Sequence, residues 1–334
     1  MNQKKVTIKD IAREANVSKS TVSRVLNDTS SVKESKRQAV LDAMKELNFK
    51  PNVFARSLAG GKSMTIGILT GDIGSPFYDS ISKSVIEALN TTNYTAIIAD
   101  GQWRESHERN AISTLVERQV DGLICIGGTL DIEAINECGN NVPLVMVARK
   151  EDGWDDRCLY IDNKEAAKFA TNHLIKMGHK RIAHIMGEST HRDAMDRYAG
   201  YKEAMTEAGL EPTGDLFAQG DFTLTGGQSA MKTLLDKETE LTAVFAANDQ
   251  MAFGARLALF HRGLAVPDDV SIIGFDDQVN SPFAIPPLTT IAQPGLAMGQ
   301  AATEMLFDLI NDKPTKSRQF SCQLVVRESV SKPR

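Results

Sequence analysis

Cysteine is scarce, and the four present, Cys125, Cys138, Cys158 and Cys322, fall in no CxxC and no Cys/His metal spacing. That excludes the common zinc modules and a disulfide framework, leaving buried or incidental thiols in a reducing compartment. Long apolar runs are missing too. No stretch approaches the roughly 18 apolar residues that a membrane span requires, and the opening MNQKKVTIKD has lysines with no apolar region behind them. The expectation is a cytoplasmic protein with no membrane partner. Catalytic signatures are absent as well: there is no GxGxxG after a first strand, no phosphate loop of the GxxxxGK[ST] type and no GxSxG. The histidines are scattered; His173, His179, His184 and His191 read as surface or structural residues. The chain is therefore expected to be no enzyme, with no metal and no cofactor.

What remains is an ordinary soluble composition, 42% hydrophobic and 6% aromatic, with an uneven distribution of charge. Residues 1–62 carry 13 Lys and Arg against 6 Asp and Glu, a balance of +7; the other 272 carry 25 against 37, a balance of -12. A basic head on an acidic body implies that only the head meets a polyanion.

The head begins VTIKDIAREANVSKSTVSRVLN. Thr7 and Asp10 have the spacing of a capping box, and Ile8, Ile11, Ala12 and Ala15 form a helical stripe. Asn16 ends that helix, Ser18 caps the next, and Val22, Val25 and Leu26 give the second helix one buried side. Two helices so tightly joined make a helix-turn-helix, whose second helix can offer Lys19, Ser20 and Arg24 to base edges while Ser18, Thr21 and Ser23 suit phosphate or capping contacts. A third helix, about 33–47, is expected to close a small core with Val40, Leu41, Met44 and Leu47. Pro51 stops it, and residues 52–61 form at most one or two helical turns, too short to persist alone. On their own they read as a plain linker.

From Met64 onward, apolar runs such as MTIGILT, VDGLICIG, RIAHIMG, LTAVFAAN and VSIIGFD alternate with amphipathic stretches. This is the pattern of doubly wound parallel sheets, and about 270 residues of it imply two lobes. Ligands in such sheets sit at the carboxyl ends of strands. There the chain places Asp72, Ser75, Phe77 and Tyr78, then Arg149, Arg197, Phe222, Asn248 and Asp276. Carboxylate, amide and guanidinium groups with aromatic rings are the chemistry of polyol recognition. The same residue types also serve as caps, turns or lobe-edge core. Asp277 reads as a cap.

The segments TIKDIAREANVSKSTVSRVLN and LNFKPNVFARSLAGGKSMTIGIL resemble the LacI/GalR family of bacterial transcriptional repressors, and the likeness runs to about residue 328. It implies an α/β fold: a three-helix DNA-binding domain at 1–50, a hinge helix at 51–62, and a periplasmic-binding-protein-like effector and dimerisation domain at 63–334. Its lobes are expected at about 63–162 with 292–322, and about 163–291 with 323–334, with crossings near 162, 291 and 322. The resemblance further implies a homodimer on double-stranded operator DNA. Contacts would come from Thr7, Ser18, Lys19, Ser20, Thr21, Ser23, Arg24, Asn27, Asn52, Ala55, Arg56 and Leu58, the last opening the central minor groove. A sugar effector would bind Arg197, Asn248 and Asp276, with Phe77, Tyr78 and Phe222 lining the cleft.

Two departures stand out. Lys33 replaces the usual Ser or Thr cap of the third helix, unless Ser31 caps one turn earlier, and Ala148 precedes Arg149 where the family commonly has Asp or Asn. DGQWRESHERNAI, DDRCLYIDN and DAMDRYAGY look closest to galactose and β-glucoside regulators, favouring a neutral sugar. A purine- or nucleoside-responsive repressor and a sugar-binding receptor without DNA function remain alternatives.

Overall fold

The computed structural model describes residues 6–26, 32–49, 62–139, 141–237 and 240–334. Asn27, Ser31 and the hinge residues Asn52, Ala55, Arg56 and Leu58 lie outside them.

The head is three helices, α1 (Ile8–Glu14), α2 (Lys19–Leu26) and α3 (Glu34–Glu46). The Thr7 and Asp10 side chains complete the capping box of α1. Asn16, at φ +50°, turns the chain out of it, and Ser18 Oγ accepts the Thr21 amide at 3.2 Å to cap α2. Ile11, Val22 and Val40 are wholly enclosed, with Ala12, Val25 and Ala43 around them. The third helix differs from expectation on one point: Leu41 is exposed and Ala43 is buried, because the stripe runs Val40, Ala43, Met44, Leu47 at helical spacing and Leu41 falls outside it. Lys33 occupies the N-cap without a side-chain bond, leaving that helix end without the contribution of about 1 kcal/mol that a Ser or Thr makes.

The body holds two six-stranded sheets. The first contains β1 (Thr65–Thr70), β2 (Thr95–Asp100), β3 (Gly122–Ile126), β4 (Leu144–Val147) and β5 (Cys158–Ile161). Helices α4 (Pro76–Leu89), α5 (Glu105–Glu117) and α6 (Ile132–Gly139) connect them. The second contains β6 (Ile182–Met186), β7 (Phe217–Gln219), β8 (Ala243–Ala246), β9 (Ser271–Asp276) and β10 (Thr289–Ala292). It is served by α7 (Asn163–Lys176), α8 (Arg192–Glu207), α9 (Leu224–Asp236) and α10 (Asp249–His261). After β10 the chain returns to the first lobe as α11 (Gly295–Ile310) and β11 (Arg318–Phe320), then ends in the second as β12 (Gln323–Val325).

The orders are β11-β5-β4-β3-β1-β2 and β12-β10-β9-β8-β6-β7. All pairs are parallel except β10 with β12. The central strands β1, β3, β6, β8 and β9 are buried almost throughout, whereas the edge strand β2 is half exposed. Helices cover both faces of the central strands, which is why those strands read as continuous apolar runs. In each sheet the order reverses between two central strands, β1 and β3 or β6 and β8, and a crevice opens at their carboxyl ends. Three crossings join the lobes, at residue 162, at 293–294 and at 321–322; the middle one falls two residues beyond the expected position because β10 continues to Ala292.

Candidate functional site

Two regions gather the chemistry. On the head, Ser18, Lys19, Ser20 and Arg24 are exposed along one side of α2, with Thr21 and Ser23 half-buried beside them. The Ser18 hydroxyl also bonds the hydroxyls of Ser20 at 2.8 Å and Thr21 at 2.9 Å. The first turn of α2 thus presents hydroxyls and a lysine at a helix N-terminus, a favourable place for phosphate. Thr7 is exposed at the start of α1, where its hydroxyl donates to Asp10 at 2.7 Å.

The second region is the cleft between the lobes, which is divided in two. The smaller compartment, about 350 Å³, is lined by Asp72, Ser75, Phe77, Tyr78, Arg197, Phe222, Asn248 and Asp276, eight of the nine effector residues expected from sequence. The ninth, Arg149, lines the larger compartment of about 450 Å³. Its guanidinium is held by Glu151 and by the Gly128 carbonyl at 2.8 Å. Ala148 lines that compartment too, at φ +62°, so no side-chain polar group stands there.

Arg197 lies on the buried stripe of α8, in register with Ala194, Gly200, Tyr201 and Ala204. An arginine on an apolar stripe must find partners. It donates to Asn163 Oδ1 at 2.9 Å and to the Ala247 carbonyl at 2.6 Å. It also stacks on Phe275 at 3.8 Å and faces the carboxylates of Asp193 at 3.7 Å and Asp276 at 3.9 Å. Asp276 sits at φ +115°, a strained backbone for a non-glycine residue. It accepts from Gln293 at 2.7 Å and Gln278 at 3.2 Å. Burial raises its pKa, while Arg197 and the two amides pull it down. Behind it the enclosed Asp249 accepts from Ser281, Thr290 and the Gln278 amide; burial, then the Asp276 charge, raises its pKa. Asn248 caps α10 by accepting the Met251 amide at 2.9 Å and donates to the Phe222 carbonyl at 2.9 Å. Asp277 does not cap a helix; it pairs with Arg327 at 2.8 Å.

The partition between the compartments was not expected from sequence. Trp103, in the loop after β2, stacks on His191, the N-cap of α8, at a centroid distance of 3.8 Å, and His191 stacks in turn on Phe222. His191 thus lines the cleft as well as packing in it, a placement that its reading as a surface or structural residue did not include. Its position at a strand end just before a helix was the available signal. Two glycines allow the rings to lie against backbone: a Cβ at Gly187 would stand 2.1 Å from the Phe222 ring, and one at Gly127, φ +68°, 3.2 Å from Trp103 and Tyr78. Glu108, also unexpected, is buried and accepts the Thr129 and Leu130 amides, fixing the loop that floors the larger compartment.

No helix among the described residues is long and apolar enough to cross a membrane, and no cluster of three His, Cys, Asp or Glu among them could hold a metal ion.

Comparison with known proteins places this geometry. Residues 7–52 match the model of bacterial regulatory proteins, lacI family, and residues 171–330 that of a periplasmic binding protein-like domain. The HTH-type transcriptional regulator GalR of Salmonella typhimurium (strain LT2) is 38% identical over 330 residues, 98% of this chain and 96% of that protein. Catabolite control protein A of Priestia megaterium is 35% identical, over 93% of this chain and 95% of that protein. Among solved structures, the lac repressor dimer bound to operator and the anti-inducer ONPF superimposes with a TM-score of 0.88 at 30% identity, covering 98% of this chain and all of that one. A complex of the transcriptional regulator CelR with cellobiose gives a TM-score of 0.73 at 32% identity, over 97% of this chain and 99% of that one.

Proposed function

The chain belongs to the LacI family of bacterial regulatory proteins, and from that premise we propose that it represses a carbohydrate-utilisation operon in the cytoplasm and is released from its operator by a neutral sugar bound between its lobes. It is a DNA-binding transcriptional regulator, not an enzyme. The observation that carries the effector reading is the smaller compartment. Aromatic faces from Phe77, Tyr78 and Phe222 surround Arg197 and four carboxylates, Asp72, Asp193, Asp221 and Asp276. Apolar ring faces and hydroxyl edges of a pyranose match such a lining, while an excess of carboxylates repels sugar phosphates and other anions.

The DNA contacts assigned above to α1, α2 and the hinge belong to the same proposal. Two heads on one pseudo-palindromic site require a two-fold dimer. Its second copy finds an apolar face on the second lobe, where Phe260, Phe283 and Ile285 are 75%, 79% and 84% exposed around a groove lined by Phe253 and Leu257. That much exposed apolar surface marks a contact site. Phe260→Asp should turn the dimer into a monomer in sedimentation; an unchanged dimer would place the contact elsewhere.

The function is tested by selecting binding sites from random duplex DNA and titrating the winning site with sugars. A pseudo-palindrome whose affinity falls steeply with salt, and falls again with a sugar, supports the reading. Loss of affinity with a nucleoside and with no sugar would replace the effector class; absence of any selected site would remove the DNA function.

A further inference from the structure

The cleft is two hollows that share a wall. Tyr78, Trp103, His191 and Asp193 line both compartments. Trp103 comes from the first lobe and His191 from the second, and at 3.8 Å between ring centroids no third ring fits between them. A single sugar ring in the smaller hollow leaves that stack closed. The larger hollow is nevertheless furnished. The side chains of Thr190, Asp196 and Gln319 line it and make no hydrogen bond to other described residues, and the Tyr160 ring lies in its wall with the Lys150 ammonium over it at 5.4 Å. Asp196 is half-buried there without a hydrogen-bond partner among the described residues, an acceptor that a ligand hydroxyl would match, and the exposed Thr190 and Gln319 side chains can add hydrogen bonds beside it. The charges in this hollow are of both signs, with Arg149 already tied to Glu151, so nothing there favours an anion.

We propose that the effector is a disaccharide, one ring lying among the aromatics of the smaller compartment and the other among Thr190, Asp196 and Gln319 in the larger, with the Trp103–His191 stack parted to admit the linkage between them. This rests on the sugar reading above and narrows it. Its consequence is mechanical. The two stacked rings belong to different lobes, so a ligand that occupies both hollows must part a contact between the lobes, whereas a monosaccharide leaves it intact. Differential binding of that kind is what a ligand needs to shift a two-state equilibrium.

The chain has two tryptophans, Trp103 and Trp154. In W154F, Trp103 becomes the sole emitter and reports on its stack. The protein is titrated with glucose and galactose, then with lactose, melibiose, cellobiose and maltose, following Trp103 emission, melting temperature and affinity for the selected operator. A disaccharide should shift the emission and lower operator affinity by at least about tenfold, while monosaccharides bind about tenfold more weakly and leave the emission unchanged. If W154F does not fold, the same difference is read as a wild-type emission change that W103F lacks. Full operator release by a monosaccharide with unchanged emission, or release by a disaccharide without an emission change, overturns the inference and leaves the sugar reading standing. If neither class raises the melting temperature or weakens operator binding, the sugar reading falls and takes the inference with it.

Discussion

Replacing Arg197 by Met keeps the length of the side chain and removes its charge and fork. Two hydrogen bonds from a buried cation vanish, to Asn163 and to the Ala247 carbonyl, each worth about 1.5–3 kcal/mol. Asp276, enclosed 3.9 Å away, loses its counter-charge. Its pKa then rises further, because burial already pushes it up and Arg197 is what opposes that. Breaking one side of a buried pair costs about 3–5 kcal/mol, most of it for the charge left behind. The expected loss of folding stability is therefore about 3–5 kcal/mol, read as a lower urea midpoint with an unchanged slope. Effector affinity should fall by about 100-fold, or about 3 kcal/mol, while the folded variant still holds operator DNA. The pairing with Asp276 is separable. Asp276→Asn in the same chain removes the stranded charge, so the double variant should recover about 1–3 kcal/mol relative to the sum of the single changes. Normal sugar-induced release in Arg197→Met, or strict additivity with Asp276→Asn, would refute the assignment of this arginine to both the ligand and the carboxylate.

Other parts of the molecule allow equally direct checks. Arg24→Ala should reduce discrimination at particular base pairs by about 1–3 kcal/mol; a uniform loss over all sequences would make it a phosphate contact. Asp121 accepts the Ser63 and Met64 amides at 2.8 Å each, where the chain leaves the hinge for β1. Asp121→Ala should weaken operator binding and blunt its response to sugar while the effector dissociation constant stays put, and a change confined to sugar affinity would contradict this. His184 is enclosed among Tyr198, Tyr201 and Phe245, and burial holds its pKa down at about 3. Below its unfolded value of about 6.5 the unfolded chain binds a proton that the folded one refuses, so stability falls as pH falls, by about 2 kcal/mol between pH 6.5 and 5. Urea midpoints at those two pH values should lie closer together in His184→Phe, and an equal separation would count against the mechanism.

Much of this was legible in the residues themselves. The Thr7 and Asp10 spacing announced the first helix, and the structure has both halves of that capping box. The apolar runs announced central strands because helices on both faces leave those strands no polar side. Arg197 could be singled out as the one cation on the inner stripe of its helix. Leu41 was misplaced because helical periodicity is phased by its strongest neighbours, and Val40 and Ala43 set a phase that leaves Leu41 outside.

The sequence by itself determined the local elements, the charge division between head and body, and the family, since each is written in neighbouring residues or in short spacings. Tertiary structure alone decided that Trp103 meets His191, that Asp121 holds the amides of Ser63 and Met64, and that the cleft has two hollows instead of one. These are meetings of residues about 60 to 90 positions apart, brought together by the order of strands in the sheets and the packing of the lobes. Such contacts depend on how twisted sheets stack and where their loops end, and no period or motif along the chain encodes that.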